Sequence, residues 1–402
     1  MVWKFSDRAL ALKSSTIREI LKIIEQPDMI SFAGGLPSSN TFPVEEIKQA
    51  TDLIMSSDEA FSALQYGPTE GIAPLRKWLA EYLSSRDNTT ITPNQIMIVT
   101  GSQQALDLIG KALINKGSKV LVETPTYLGG LQSFTQYEPE YISVDSDEKG
   151  LLVESLTDEI ASQASFMYVI PNFQNPTGRR LPLERRQQLA EKAKRTNLIL
   201  VEDDPYGELD YQGHRLAGLY TMAPDNTIYL GSFSKILAPG LRLGYIVANE
   251  VFIDKLVQLK QSADLHTPSL TQRIAYHVIK DGFLDRHIPK IRELYKSRCQ
   301  FMLSCLARYM PENVVWSQPE GGMFIWLDLP THINATELLS EAIQHKVAFV
   351  PGETFFANAP KMNCLRLAFV TVPEEKIEAG IQILAQLFKK HANTLEESPV
   401  II

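Results

Sequence analysis

Two serines, a lysine and an arginine crowd into the run SFSKILAPGLRLGY (232–245), directly behind the apolar stretch NTIYLG (226–231). A phosphate held at the end of a strand needs hydroxyls, backbone N–H groups and a guanidinium, and Ser232, Ser234 and Arg242 can supply them. Lys235 then lies beside the anion. A lysine amine attacks a carbonyl to form a Schiff base when burial and nearby positive charge lower its pKa, and Arg242 is the close cation. Taken alone, Lys235 reads as a surface lysine in a loop. Its neighbours carry the chemical reading.

A second segment, VEDDPYGEL (201–209), ends the apolar run Leu198, Ile199, Leu200, Val201 with three consecutive acids. Acids at the end of a buried strand are seldom there for packing. An aspartate facing the nitrogen of pyridoxal 5′-phosphate (PLP) keeps that nitrogen protonated, which lets the ring accept electrons as a substrate carbanion forms. Asp203 suits this role, with Tyr206 three residues on to reach the phenolate oxygen of the same ring. Asp204, standing before Pro205, suits the N-cap of a helix. The third segment, PNFQNPTGRRLP (171–182), is a turn by composition, and Asn175 in it can donate to that phenolate oxygen. In the fourth, TGSQQALDLIG (100–110), a strand turns through Gly101 into a helix whose first N–H groups, with Ser102 and Gln103, can cradle a phosphate. Plain N-capping by Ser102 explains the same pattern.

Each segment follows a short β-rich run. These runs fall at 95–100, 119–125, 165–171, 197–204, 226–232 and 241–248, and helical spacing separates them. Ala105, Leu108, Ile109, Ala112 and Leu113, for example, make one apolar stripe. Such alternation predicts an α/β fold: a mostly parallel sheet between helices, with ligands bound at the carboxyl ends of the strands. A long helical pattern fills roughly 270–310. After it, strands are expected over 324–330, 346–352 and 364–370, with helices near 333–345 and 373–390, as a smaller α+β unit. The first fifty residues offer a helix over Ser15–Gln26 and the turn-rich SFAGGLPSSNTFP (31–43), too little to fold alone. The expected division is an N-terminal segment (1–50) packed on the small domain, a large domain (51–290) and a small C-terminal domain (291–402). The tail HANTLEESPVII (391–402) reads as a partly ordered terminus.

A net charge of −8 and a pI near 5.5, with no run of Lys/Arg, argue against nucleic acid and favour small-molecule partners. No apolar stretch approaches a membrane span, and the opening MVWKFSDRALALKSS is broken by charges too early for a signal peptide, so the cytoplasm is expected. Cys299, Cys305 and Cys364 have neither disulfide nor metal spacing, and no metal site is expected. Neither GxGxxG after the first strand nor GxxxxGK[ST] is present, which excludes the common nucleotide-binding loops.

Taken in order, the four segments resemble the class I/II aminotransferases of PLP fold type I, over nearly the whole chain. The resemblance implies that Lys235 is the Schiff-base lysine, Asp203 the partner of the ring nitrogen, Tyr206 and Asn175 the pair on the phenolate oxygen, and Tyr127 the aromatic stacked on the ring. Ser102, Gln103, Ser232, Ser234 and Arg242 match the phosphate cup. Arg366, in CLRLAF (364–369), matches the arginine that receives the substrate α-carboxylate, a role suited to a planar bidentate donor; without the family it reads as a strand-end ion pair. Tyr66, in QYGPTEG (65–71), matches the tyrosine that reaches the neighbouring subunit's phosphate, which implies a homodimer with shared sites.

Within the class, SFAGGLPSSNTFP, LQYGPTEG and GSQQALDL are most similar to the 2-aminoadipate and kynurenine aminotransferase subgroup, and to the aminotransferase-like half of a family of bacterial regulators. No helix-turn-helix extension is expected here. SSTIREIL (14–21) resembles the subgroup's mobile recognition helix, where Ser15 and Arg18 would face a substrate side chain, and Gly35 would give its backbone N–H to the substrate carboxylate. The implied reaction is a ping-pong transamination from an L-amino acid of 2-aminoadipate, kynurenine, aromatic or branched-chain type to a 2-oxo acid such as 2-oxoglutarate. Another PLP enzyme on this fold, a lyase or decarboxylase, and a PLP-binding sensor without turnover stay open.

Overall fold

The computed structural model describes residues 3–12 and 28–393. The helix expected over Ser15–Gln26, with Ser15 and Arg18, and the chain after 393 lie outside the described residues.

Seven strands form the main sheet: β1 (Ile96–Val99), β2 (Lys119–Glu123), β3 (Glu140–Val144), β4 (Phe166–Val169), β5 (Leu200–Asp203), β6 (Thr227–Ser232) and β7 (Gly244–Val247). Their order across the sheet is β1-β7-β6-β5-β4-β2-β3. The pairs from β6 through β3 are parallel, whereas β7 runs against both of its neighbours. β1, β4, β5 and β7 are buried along their whole length, because helices cover both faces. Alternate residues accordingly pack into separate clusters. Met97, Val99, Val122 and Val201 meet the stripe of the helix Ser102–Leu113, while Ile98 and Val247 face the helix Ala73–Asp87. The six runs read from sequence are all strands of this sheet. β3 was not foreseen: it is an edge strand whose last residue alone is buried, so it shows no apolar run.

A second, antiparallel sheet contains β8 (Val315–Trp316), β9 (Phe324–Asp328), β10 (Val350–Pro351) and β11 (Cys364–Ala368), in the order β8-β9-β11-β10. The run expected over 346–352 divides: Val347–Ala348 pairs in parallel with Ile30–Ser31, and Val350–Pro351 pairs with β11. The chain after Ser31 stays against this unit, for Phe32 accepts from the Ala368 N–H and donates to the Ala348 carbonyl, both at 2.8 Å. The helical pattern over 270–310 is two helices, Ser269–Ile279 and Phe283–Tyr309, divided at Gly282, whose φ of +71° is left-handed and ends helical continuity. Helices Ala335–Gln344 and Glu374–Asn393 match expectation. Among the described residues no helix is long and apolar enough to cross a membrane.

Candidate active site

The carboxyl ends of β1, β2, β4, β5 and β6 open on one edge of the main sheet. Because β7 runs the opposite way, its beginning lies on that edge too. The turn at Gly101, Tyr127, Asn175, Asp203, Lys235 and Arg242 are therefore delivered to one place by six different strands.

Lys235 sits in the connection between β6 and β7, and its Nζ donates to the Gly35 carbonyl at 2.9 Å. Burial, then the guanidinium charges of Arg366 and Arg242, lower its pKa from the ordinary 10.5 to about 8. The sequence pointed to Arg242 as the cation responsible; Arg366, brought in from β11, acts more strongly. Asp203 ends β5 and is buried, and burial raises its carboxyl to about 7 against a hydrogen bond from Tyr168. That bond, from the Tyr168 hydroxyl to Oδ2, measures 2.7 Å, while Oδ1 is buried without a partner. Tyr206 is buried edge-on to Phe324, and burial raises its phenol well above its ordinary pKa while neighbouring Asn175 lowers it. Tyr127 precedes the helix Leu128–Thr135 within the electrostatic reach of Asp203, Arg366 and Arg242.

Arg366 lies in mid-strand, opposite Trp326 on β9 and Val350 on β10. It is buried and forms no salt bridge among the described residues, so the strand-end ion pair is excluded. Its Nη1 donates to Asn175 Oδ1 and its Nη2 to the Ala33 carbonyl, each at 2.7 Å, and its guanidinium lies 4.4 Å from the Phe324 ring centre and 5.2 Å from that of Phe355. Nε is buried and unpartnered. A buried guanidinium held by neutral acceptors and aromatic faces leaves its charge available to an incoming carboxylate. Gly35 stands beside Lys235 and close to Phe324, where a β-carbon would come within 3.2 Å of the ring.

On the other side, Gly101, at φ +78°, is the N-cap of the helix Ser102–Leu113 and supplies no side-chain cap. Ser102 is the first helical residue, which removes the simple capping explanation. A β-carbon on Gly101 would lie 2.4 Å from Arg242 Nη2, so the arginine lies directly against the turn. Ser232 Oγ accepts from the Ser234 N–H at 3.1 Å, closing the two serines into one small turn. The Gln103 side chain is committed to the Gly129 carbonyl and Ser133 hydroxyl, at 3.2 and 2.6 Å. Behind the turn, wholly buried Lys260 donates to Gln104 at 2.6 Å and to Asp264 at 2.8 Å, and Gln104 accepts the Thr100 N–H at 2.9 Å.

Asp204 is not a helix cap. It is buried and accepts from Asn172, Arg215 and Tyr229, at 2.8, 2.8 and 3.0 Å; burial opposes its ionisation, but Arg215 and Arg86 hold its carboxyl at about 2. Glu202 caps instead, accepting the N–H groups of Leu219 and Tyr220 at 3.0 and 2.8 Å. Tyr66 is 78% exposed in the single chain and touches the His266 ring edge-on. Tyr168, Ala33, Phe324 and Phe355 were not foreseen. Their sequence signal is that of core or loop residues: strand register brings Tyr168 and Phe324 to the site, and the loop after Ser31 and the short helical turn Gly352–Phe355 bring Ala33 and Phe355.

These groups fit PLP. A buried carboxylate oxygen lacks a donor, an amine of lowered pKa faces the same space, and a helix start with an adjoining guanidinium offers an anion seat. The fold and site together define a PLP enzyme of fold type I. The chain belongs to the family Aminotransferase class I and II, which it matches over residues 27–384. It is 47% identical to aromatic-amino-acid aminotransferase 1 of Thermococcus litoralis, over 96% of this chain and 94% of that one. The crystal structure of Pyrococcus horikoshii kynurenine aminotransferase superposes with a TM-score of 0.91 at 45% identity, covering 96% of this chain and 97% of that one. The α-aminoadipate aminotransferase LysN of Thermus thermophilus, complexed with N-(5′-phosphopyridoxyl)-L-leucine, gives 0.89 at 41%, covering 96% and 97%. The protein is a PLP-dependent aminotransferase.

Proposed function

We propose that the enzyme moves an amino group from an L-amino acid of aromatic, 2-aminoadipate, kynurenine or branched-chain type to a 2-oxo acid, 2-oxoglutarate among them, in two half-reactions. The observation that carries this reading is the buried, acid-free guanidinium of Arg366 beside the amine of Lys235. An α-carboxylate on Arg366 sets the substrate Cα over a base of pKa about 8, near enough to neutrality to give and take a proton. The names of the relatives support the donor classes. When bound, PLP supplies the electron sink that makes the Cα proton acidic.

In this reading Lys235 would hold the cofactor covalently and, once its amine is free, would give and take the Cα proton. Asp203 keeps a proton on the ring nitrogen, Tyr206 and Asn175 hold the phenolate oxygen, and Tyr127 covers the ring face. Ser102, Gln103, Ser232, Ser234 and Arg242 hold the phosphate. Arg366 and Asn175 orient the carboxylate with the Gly35 N–H, and Ser15 and Arg18 face the substrate side chain. Tyr66 reaches the phosphate of a second copy, which makes the active form a homodimer with shared sites, and the enzyme works in the cytoplasm. The chain divides into segments 1–50, 51–290 and 291–402 around this site.

The test is the visible absorption of the PLP-loaded protein before and after a panel of L-amino acids, with release of the 2-oxo acid followed in parallel. Spectral conversion and oxo-acid release by members of the proposed classes are expected, and Lys235→Ala should lose both while keeping its circular dichroism. Conversion with release of CO2 or of a side-chain fragment would favour a decarboxylase or lyase; a spectrum that no amino acid changes would favour a sensor.

A further inference from the structure

One neighbour fixes the carboxylate of Asp203. In the parallel pairing of β4 and β5, Tyr168 stands opposite Val201. Asp203, two residues further on, therefore lies on the same face of the sheet and one diagonal step ahead. The Tyr168 hydroxyl spans that step and donates to Oδ2 at 2.7 Å, leaving Oδ1 buried and unpartnered. Tyr168 itself is fully buried, edge-on to Phe134 at 5.7 Å. A β-carbon on Gly130 would come within 2.9 Å of its ring, so the helix that begins just after Tyr127 leaves room for it. Phenylalanine would fill this space equally well. The hydroxyl is explained by the carboxylate it meets.

We propose that Tyr168 is the positioning residue of Asp203: its hydroxyl satisfies one carboxylate oxygen and orients the other, ionised, toward the ring nitrogen of the cofactor. The inference rests on the reading of Asp203 as the partner of that nitrogen. Two effects follow from one hydrogen bond. Orientation selects Oδ1 for the ring, and donation to a carboxylate favours its charged form, which leaves the shared proton on the nitrogen. Burial and the charge of Asp203 hold the Tyr168 phenol well above its ordinary pKa, so it remains a donor. The other groups facing Asp203 are Asp204, whose charge opposes ionisation, and the neutral phenols of Tyr127 and Tyr206.

The experiment loads the wild type, Tyr168→Phe, Asp203→Ala and Phe134→Leu with PLP carrying 15N in its ring, and reads by NMR the pH at which the ring nitrogen loses its proton. In Tyr168→Phe that pH is expected to fall by about 1–2 pH units, the effect of one hydrogen bond to a charged group. The first half-reaction should slow by about 10- to 100-fold at unchanged KM. Phe134→Leu, which disturbs packing against the same ring, should leave the midpoint in place. A midpoint unmoved in Tyr168→Phe but lowered in Asp203→Ala overturns the role of Tyr168 alone; one unmoved in Asp203→Ala overturns the reading of Asp203. If Tyr168→Phe does not fold, 3-fluorotyrosine at position 168, a stronger donor, is expected to raise the midpoint, and no change overturns the proposal.

Discussion

Lys235 and Arg366 show how this site spends conformational stability on reactivity. Arg366 is buried and Lys235 half-buried, neither has a carboxylate partner, and burial lowers the proton affinity of both, with the Arg366 charge lowering that of Lys235 further. For Lys235 the sign is definite. The folded-state pKa of about 8 lies below the ordinary 10.5, so between these values the unfolded chain binds more protons and stability rises with pH. Below pH 8 the full penalty is present. Lys235→Met is therefore expected to stabilise the cofactor-free protein at pH 7 by roughly 3 kcal/mol, and the gain should fade toward pH 10.5. Urea unfolding of both proteins at pH 7 and pH 10 measures it, and parallel pH curves would refute a depressed lysine pKa.

At the scale of elements, the main sheet holds its chemistry at strand ends and its scaffolding one residue away. Glu202, Asp203 and Asp204 are consecutive and have three different tasks: helix capping, facing the site, and closing a buried ion network. In that network Arg215 bridges Asp204 and Asp87, at 2.8 and 2.9 Å, and Arg86 pairs with Asp87 and Glu208, at 2.6 and 3.0 Å. Asp204→Ala leaves Arg215 partly uncompensated in the interior and should cost about 3–5 kcal/mol in denaturant unfolding. A loss below 1 kcal/mol would show the network to be dispensable. Sequence reading found the strand runs and the residues at their ends, since a buried parallel strand is a continuous apolar run and turn chemistry punctuates it. It misassigned Asp204 because Asp-Pro is a cap signal locally, whereas its partners Arg215 and Asn172 come from other segments. Tyr168 and the acid-free setting of Arg366 were illegible for the same reason: both depend on register between strands.

For the whole molecule, a single chain leaves Phe61 at 82%, Leu64 at 68% and Tyr66 at 78% exposure within one short stretch. Large apolar side chains this close together on a surface mark an interface. If a second copy covers them and Tyr66 completes its phosphate seat, Phe61→Glu should weaken the dimer and cofactor retention together, whereas Tyr66→Phe should weaken cofactor retention alone. Sedimentation and the PLP off-rate, measured on both variants, separate these effects, and a monomeric wild type retaining PLP would end the shared-site reading.

The reversed strand β7 has a consequence for the order in which the enzyme comes into being. By turning back on β6 it puts Lys235 and Arg242 on one local hairpin, next to Asp203 on β5, whereas Gly35 and Arg366 arrive from segments at opposite ends of the chain. Contacts close in sequence form before those that require long loops to close. A chain emerging with its main sheet complete thus already has its own share of the proposed cofactor seat while Arg366 is still to arrive, and PLP that binds there at that stage would act as a ligand that helps the remainder to fold.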